Sequence, residues 1–356
     1  MTSLYELTRD ELAEALGGEP RFRVDQLWRG LWREDRRVEE VTTLPKGLRE
    51  RLVAEHPSSL TAINEVVSDG GATTKWVFAL HDGATIETVL MAYEDRVTVC
   101  VSSQAGCAMG CSFCATGQAG FTRQLSVGEV IEQVVAAARA GAPRRLSNVV
   151  FMGMGEPLAN YPVTVGVLRR LHEERGMSAR HLTVSTVGVA PAIERLAGEG
   201  LALTLAVSLH AANDEVRNDL APINRRYDLA RLATACARWI EETGRRLSFE
   251  WALIDGVNDT ERALDELAAY ARPLAAHVNL IPLNPTPGYL VRGSAPERVR
   301  AFRDGLIARG VNATVRNTRG RSIDAACGQL ATVTRGKPGL RRDGSTTTVA
   351  LRNKPL

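Results

Sequence analysis

The amino-acid sequence predicts an α/β fold that combines a parallel sheet with an N-terminal helical region and a small β-hairpin region. Three observations support it. Strand-like apolar runs alternate with helical patterns six times after about residue 97, period-two alternation marks residues 62–93, and helical spacing marks residues 1–60. Six strand–helix units are too few for a closed eight-unit barrel, so a partial, open-sided barrel and a doubly wound sheet both fit.

The N-terminal region begins with Thr8-Arg9-Asp10-Glu11, which fits a capping box at the start of a helix. An apolar stripe follows at helical spacing and consists of Val24, Leu27, Trp28, Leu31 and Trp32. We interpret this stripe as core rather than as a surface that stacks on bases. Residues 1–60 are therefore expected to form a helical accessory domain.

Residues 61–96 predict a β-hairpin connector. Two alternating runs, KWVFAL and TIETVLMAY, flank the short turn His81-Asp82-Gly83-Ala84.

A core domain is expected over residues 97–330. Its six strand-like runs lie at 97–102, 148–152, 181–185, 203–209, 247–254 and 277–283. Helical patterns between them include 127–140, 227–243 and 260–271, and a seventh short run lies at 312–316.

Composition and charge narrow the class of protein. The 356 residues are 44% apolar and 24% charged, as in a soluble globular protein with a large core. No apolar run is long enough to cross a bilayer, and the acidic N-terminus fits neither a secretory signal nor a transit peptide. We therefore expect a cytoplasmic protein that has no membrane partner and whose thiols are reduced.

The net charge of +3 is unevenly distributed. From Arg316 onward the chain carries nine basic residues against two acidic ones, so the rest of the chain is net negative. Residues 331–356 thus form a basic C-terminal tail. Contact with a polyanion and a merely solubilising tail both explain it.

Three of the six cysteines are closely spaced as Cys107-x3-Cys111-x2-Cys114, after the first strand of the core domain. In a reduced compartment such clusters indicate metal or redox chemistry rather than disulfides. Structural zinc usually needs a second cysteine hairpin, which the chain lacks. Three thiolates on a four-iron cluster leave one iron open, so the spacing favours an iron–sulfur cluster.

Polar residues follow the strands of the core domain at their carboxyl ends. They are Gly155 and Glu156 in GMGEP, Ser185 in TVST, Ser208, Leu209 and His210, and Asn284 in PLNP. The carboxyl ends of parallel strands share one face, where ligands bind in such folds. Glu156 can accept hydrogen bonds from an ammonium group, and His210 is expected to hydrogen-bond a ligand or the backbone.

The loop from about 211 to 226 is long for a strand–helix connection, which is typical of functional loops. Its arginines Arg217, Arg225 and Arg226 suit phosphate contact and a solvated surface equally.

Together these motifs resemble the radical S-adenosylmethionine (SAM) superfamily and, within it, the RlmN family of RNA adenine-C2 methyltransferases. The matching segments run from about Cys100 to Leu330: CVSSQAGCAMGCSFCATGQAGF, VVFMGMGEPL, LTVSTVGV, VSLHAANDEVRNDLAPINRRY, DGVNDT, NLIPLNPTPG and IDAACGQL. The resemblance implies a partial (β/α)6 radical SAM barrel.

The resemblance also implies a role for each site residue. Cys107, Cys111 and Cys114 would ligate a [4Fe–4S] cluster, and the strand-end residues Gly155, Glu156, Ser185, Ser208, Leu209, His210 and Asn284 would bind SAM. Cys327, in AACGQL, would carry the methyl group as S-methylcysteine. Cys100 would resolve the protein–RNA adduct through a transient disulfide bond, and Glu87, in IETVLM, would be a general base. Cys236 we interpret as core.

The function implied is methylation of adenine C2 at adenine 2503 of 23S rRNA, and at adenine 37 of tRNA, with two SAM molecules per turnover. Cys327 takes a methyl from the first. A radical formed from the second activates that methyl for addition to C2. The resemblance implies an electron donor such as flavodoxin, RNA contact by the N-terminal domain and a monomeric enzyme. Two alternatives stay open: a C8-specific methyltransferase of the same branch, and a zinc-stabilised, non-catalytic RNA-binding protein.

Overall fold

The N-terminal region is helical, as predicted. The structure, a computed structural model, describes residues 2–286, 289, 291–316, 319–330 and 348–349. Its first helices are α1 (Arg9–Ala15), α2 (Arg21–Arg33) and α3 (Lys46–Glu55). The capping box of α1 is formed: the Thr8 side chain accepts from the backbone N–H of Glu11, and the Glu11 carboxylate accepts from the backbone N–H of Thr8. The apolar stripe on α2 is buried, which confirms its interpretation as core.

An antiparallel meander follows, formed by β1 (Leu60–Ser68), β2 (Thr73–Leu80) and β3 (Thr85–Ala92). The predicted hairpin is the β2–β3 pair, and β1 adds a strand that the prediction did not separate. Within the turn, the Asp82 carboxylate accepts a hydrogen bond of 3.0 Å from the backbone N–H of Ala84.

The core region alternates strands and helices. Its elements in chain order are β4 (Val97–Cys100), β5 (Gln104–Gly106), α4 (Ala115–Ala119), β6 (Phe121–Gln124), α5 (Val127–Gly141), β7 (Asn148–Phe151), α6 (Tyr161–Glu173), β8 (Leu182–Thr186), α7 (Ala190–Ala197), β9 (Thr204–Ser208), α8 (Asp214–Leu220), α9 (Leu229–Thr243), β10 (Ser248–Leu253), α10 (Glu261–Ala271), β11 (His277–Pro282), α11 (Pro296–Ala308) and β12 (Ala313–Val315). All six long strands and the short seventh one fall where the sequence predicts them.

The parallel strands follow one another across the sheet in chain order. This order distinguishes a partial barrel from a doubly wound sheet. Neighbouring strands run β4-β7-β8-β9-β10-β11-β12, all parallel, with no reversal of order. A doubly wound sheet would reverse its order at a switch point. Because β4 pairs with β3 of the meander, the barrel stays open, and a partial (β/α)6 barrel is confirmed. A last strand, β13 (Thr348–Val349), pairs with β1.

Buried and half-buried polar contacts join the N-terminal region to the barrel helices. Glu132 on α5 accepts hydrogen bonds from the side chains of Ser3 and Ser58 and from the backbone N–H of Leu60. Arg170 on α6 donates to the backbone carbonyls of the 5–7 segment at 2.7–2.8 Å. Helices, meander and barrel also share one apolar core, so the expected boundaries at 60 and 96 mark changes of architecture rather than separate cores.

The expected basic tail, residues 331–356, lies outside the described residues except for Thr348–Val349. Among the helices that the structure describes, none combines the length and the apolar character that a bilayer crossing requires.

Candidate active site

A cavity of about 160 Å³ lies at the carboxyl ends of the parallel strands. Its wall combines the cysteine loop between β5 and α4, the ends of β7 to β11, and the segment around Cys327. This is the face on which the sequence predicts a site, because ligands in barrels and open α/β sheets bind at the carboxyl ends of the strands.

The cysteine loop is closed at its base by a tight backbone contact. Gly106 has φ 76°, and a Cβ there would lie 2.1 Å from the carbonyl oxygen of Gly120, so no other residue fits. The backbone N–H of Cys107 donates to that same carbonyl at 2.8 Å. Cys107, Cys111 and Cys114 all line the cavity, as expected from their spacing.

The thiols of this loop fit an iron–sulfur cluster. Burial raises the pKa of Cys107 to about 12 and raises the pKa of Cys111 further, so both need a positive centre to exist as thiolates. In a four-iron cluster three thiolates ligate three different irons and leave the fourth iron open. Three cysteines on one short loop supply that donor set, so the residues present fit a [4Fe–4S] cluster.

Glu156 is fixed at the cavity wall by backbone donors. Its carboxylate accepts from the N–H groups of Leu158 at 2.9 Å and Val187 at 2.8 Å. Burial nevertheless raises its pKa to about 7. The preceding Gly155 has φ 101°, and a Cβ there would lie 2.6 Å from Gln104, which explains the glycine.

The other strand-end residues divide into two groups. Ser185, Ser208 and Asn284 line the cavity together with Gly155, Glu156 and His210. Leu209 does not line it: its side chain is fully buried in the core. The six cavity residues thus meet as the sequence predicts, whereas Leu209 packs the strand end.

His210 is a neutral hydrogen-bonding residue. Its Nδ1 accepts a 2.9 Å hydrogen bond from the backbone N–H of Ala252, which leaves the proton on Nε2. Burial, helped by nearby Arg217, lowers the His210 pKa to about 3. The ring also meets Phe113 of the cysteine loop edge-on, with centroids 4.5 Å apart.

The loop at 211–226 contains α8. One of its three arginines, Arg217, is not accessible for phosphate contact. Arg217 is completely buried and donates to the carbonyls of Leu209 and Val187 and to the side chain of Asn224. It therefore ties the ends of β8 and β9 together. Both sequence alternatives for Arg217, phosphate contact and a solvated surface, are wrong. Arg225 and Arg226 are exposed and compatible with either.

Cys100 and Cys327 share a second, much smaller cavity of about 20 Å³ that adjoins the first. Cys100 ends β4, and Cys327 lies on a loop whose neighbours Gly328 and Leu330 accept hydrogen bonds from Ala115 and Thr116 of α4. Burial raises the pKa of Cys100 to about 12; Cys327 raises it further and Arg316 lowers it.

No disulfide bond links any of the six cysteines, all of which the structure describes as free. The structure thus does not support the disulfide that the resemblance implies. Cys236 is fully buried in α9, in agreement with its interpretation as core.

Glu87 lies outside both cavities. It is buried on β3, and its Oε2 atom lies 3.4 Å from Nζ of Lys75. Lys75 also donates to the carbonyl of Asp324, on the loop that carries Cys327. Since Val89 pairs with Cys100 and side chains alternate along a strand, Glu87 and Cys100 share one face of the sheet.

Among the lining residues of the main cavity that the sequence did not predict, two are charged, Glu250 and Arg316. Glu250 is buried in the middle of β10, and Arg316 directly follows β12. The available signal was a single carboxylate inside the otherwise apolar run FEWALI. A lone charge in a buried strand usually has a partner.

Comparisons with known proteins place the chain among its relatives. A family model described as the radical SAM superfamily matches residues 101–268. The chain is 54% identical over 351 residues to a probable dual-specificity RNA methyltransferase RlmN of Parafrankia sp., covering 92% of this chain and 91% of that protein. A protein of the same name from Thermobifida fusca is 50% identical, with 91% and 92% covered.

Among solved structures, a radical SAM methyltransferase from Sphaerobacter thermophilus is similar over 93% of this chain and 99% of that chain. The two have a TM-score of 0.90 and 51% sequence identity.

Proposed function

We propose that this chain, which belongs to the RlmN family of radical SAM RNA methyltransferases, methylates C2 of an adenine, at adenine 2503 of 23S rRNA and adenine 37 of tRNA. One observation carries the proposal: Cys327 lines a cavity beside the three-cysteine loop and a second cavity that it shares with Cys100. A methyl carrier needs access to both a methyl donor and a resolving thiol, and this arrangement offers both.

The cofactors of the family are a [4Fe–4S] cluster and SAM. Cys107, Cys111 and Cys114 would hold the cluster, and Gly155, Glu156, Ser185, Ser208, His210 and Asn284 would bind SAM. When bound, the cluster supplies the electron that cleaves SAM and so starts radical chemistry. The chain's own residues bind SAM, carry the methyl group and accept the C2 proton.

Cys327 is proposed as the methyl carrier. Adenine C2 is an electron-poor carbon that has no lone pair to attack a sulfonium, so direct transfer from SAM is closed to it. A thiolate is a soft nucleophile. Its sulfur bonds to the methyl carbon while the sulfonium–methyl bond breaks, and S-adenosylhomocysteine leaves. The methyl carbon carried on the Cys327 sulfur then forms the new bond to adenine C2.

Cys100 is proposed as the resolving thiol. Its thiolate attacks the Cys327 sulfur, the bond from that sulfur to the RNA-bound carbon breaks, and the electron pair goes to carbon, which takes up a proton to become the methyl group, so that the proton lost by Cys100 is balanced. Cys100 and Cys327 are left as a disulfide that an external thiol must reduce before the next cycle. Cys100 or Glu87 accepts the C2 proton. Since Glu87 lines neither cavity, we favour Cys100 for direct contact with the base.

The partners proposed are 23S rRNA and tRNA, and an electron donor such as flavodoxin, with the chain acting as a monomer. The helical N-terminal region would contribute to RNA contact. The target base must be unstacked to reach a cavity at the strand ends.

Nucleoside analysis tests the proposal. The chain is reconstituted anaerobically with iron and sulfide and incubated with SAM, a reductant and 23S rRNA, and the RNA is digested for mass spectrometry. We expect 2-methyladenosine as the product. Formation of 8-methyladenosine alone would assign the chain to the C8-specific alternative, and a protein that binds zinc but no iron would overturn the proposal.

A further inference from the structure

Two arginines lie over the ring of Tyr93, beside the second cavity. The guanidinium carbon of Arg96 lies 4.1 Å from the ring centroid, and that of Arg319 lies 4.6 Å from it. Tyr93 and Arg319 line the second cavity together with Cys100 and Cys327. A guanidinium that contacts an aromatic ring through its face keeps the N–H groups along its edge available to an acceptor. We call Tyr93, Arg96 and Arg319 the arginine stack.

The arginine stack joins two distant parts of the chain. Tyr93 and Arg96 lie in the turn between β3 and β4, where the Tyr93 backbone N–H donates to the Arg96 carbonyl at 2.8 Å. Arg319 lies on the segment that leaves β12. The backbone N–H of the next residue, Gly320, donates to the Asp69 carboxylate at 3.0 Å, which holds this segment against the meander. The stack therefore spans the opening of the barrel, between the β4 edge and the β12 edge.

The chain compensates neither guanidinium strongly. Among the described residues Arg319 forms no ion pair, and its buried Nε atom has no hydrogen-bond partner. Arg96 pairs with the neighbouring Asp95 at 3.0 Å, but both side chains are exposed, and such a pair exchanges readily with another anion. A buried donor that the chain itself does not satisfy favours an acceptor from a ligand.

The surface next to the arginine stack is also basic. Arg144 donates to the backbone carbonyls of the 93–96 turn, and Arg145, the next residue, is exposed. Together with the two stacked arginines they outnumber the acidic residues of the turn, Glu94 and Asp95. A positive patch of this kind attracts an anionic partner.

We propose that the arginine stack binds a phosphate of the RNA backbone beside the adenine that is methylated. The inference rests on the proposed function, in which that adenine reaches Cys327. When an unstacked base enters the site, its sugar and phosphate remain at the surface. Planar guanidiniums match the paired oxygens of a phosphodiester, and contact with Tyr93 holds them in place before RNA arrives. An acidic protein would supply carboxylates instead, but it has no need of a site next to the two thiols that act on the base.

RNA binding over a range of salt concentrations tests the inference. The full chain, reconstituted with its cluster under anaerobic conditions, is titrated without SAM against a fluorescent hairpin of 23S rRNA that contains adenine 2503. Wild type is compared with Arg319→Met, Arg96→Met, Arg319→Lys and the control Arg272→Met. Arg272 is a matched control because it is exposed and precedes β11, at the end of the strands opposite the cavities. Iron content and the methylation of Cys327 by SAM report whether each variant keeps its fold and its main cavity.

In Arg319→Met we expect the affinity for the hairpin to fall about threefold to tenfold, and the slope of log affinity against log salt to decrease in magnitude by about 0.7. Arg96→Met should have a smaller effect of the same kind, because Asp95 already offsets part of its charge. Arg319→Lys keeps the charge and should keep the slope, and Arg272→Met should match wild type.

Wild-type affinity and slope in Arg319→Met overturn the inference. If loss of iron shows that this variant is misfolded, the same result in Arg96→Met, on the other segment, overturns it. Slower reduction of the cluster by flavodoxin with unchanged RNA binding also overturns it, because the patch would then dock an acidic protein. None of these results affects the methyltransferase proposal, which depends on 2-methyladenosine as the RNA product.

Discussion

The two cavities share Met152, Ile281, Arg316, Cys327 and Leu330, but the rest of their walls comes from different parts of the chain. The main cavity takes its three-cysteine loop, Glu156, Ser185, Ser208 and His210 from the segment 101–268, which matches the radical SAM superfamily. The second cavity takes Cys100, Arg316 and Cys327 from either side of that segment.

The difference separates two tasks. Residues that would bind the cluster and SAM sit on strand ends of the barrel, whereas residues that would handle the methyl group sit on its open edges. At one edge β4 meets the meander, and at the other the chain leaves β12. Because the barrel is open between these two edges, it can receive the loop that carries Cys327 without a change in the residues of segment 101–268.

Among the variants that distinguish the two cavities, Cys327→Ala is expected to have the largest effect on RNA methylation. RNA methylation should fall below detection, since no other thiol borders both cavities. Iron content and the visible absorption of the reconstituted protein should remain those of wild type, because Cys327 is not among the expected cluster ligands. Methylated RNA from this variant would contradict the division of tasks, and loss of iron would show that the two regions are not separable.

Cys100→Ala should stop the reaction after one turnover instead. Without the resolving thiol, Cys327 remains bonded to the RNA base, and a covalent protein–RNA species should accumulate on denaturing gels. Cys236→Ala is the matched control, since that thiol is buried in α9 away from both cavities. Multiple turnovers by Cys100→Ala would remove Cys100 from the mechanism.

Lys75→Met tests whether the meander holds the methyl-handling loop. Lys75 and Glu87 are both buried, so removing the ammonium group should lower the free energy of unfolding by about 3 kcal/mol, as for other broken buried pairs. Urea unfolding followed by tryptophan fluorescence measures this loss.

The double variant Lys75→Met/Glu87→Gln should recover a large part of that stability, because the buried carboxylate is neutralised as well. Equal instability of the double and single variants would show that Lys75 acts through the Asp324 carbonyl alone, and not through Glu87.

Local patterns account for much of what the sequence predicts. The strands, the capping box at Thr8 and the buried stripe on α2 follow from periodicities of two and 3.6 residues. The main cavity could be predicted because parallel strand ends share a face, which makes convergence a consequence of topology.

Contacts that depend on distant backbone could not be predicted. Arg217 binds carbonyls at the ends of two strands, and Arg316 meets Glu250 across an intervening strand. No pattern of residue spacing in the sequence marks either contact, since the registers between strands are set by tertiary packing. The sequence predicts Leu209 at the cavity because it follows the carboxyl end of its strand, but alternation along the strand end turns its side chain into the core.

The smallest effect concerns the main cavity and the pH dependence of SAM binding. Burial raises the Glu156 pKa to about 7, so the folded protein retains a proton between about pH 4.5 and 7 that the unfolded chain has lost. Glu156 therefore costs stability as pH rises through that window. An ammonium group binds the carboxylate, which forms only as pH passes 7.

SAM affinity should accordingly rise roughly fivefold to tenfold from pH 6 to 7.5, and fall again when the α-amino group of SAM loses its proton near about pH 8. Anaerobic titration calorimetry on the reconstituted chain measures this profile. His210 adds nothing to the slope, because its pKa of about 3 keeps it neutral throughout. Glu156→Gln should flatten the rise, whereas Glu250→Gln, which alters the other buried carboxylate of the cavity, should preserve it. A rise that survives Glu156→Gln and disappears in Glu250→Gln would move ammonium recognition to the side of the cavity that holds Arg316, and the two regions would no longer divide binding from methyl transfer.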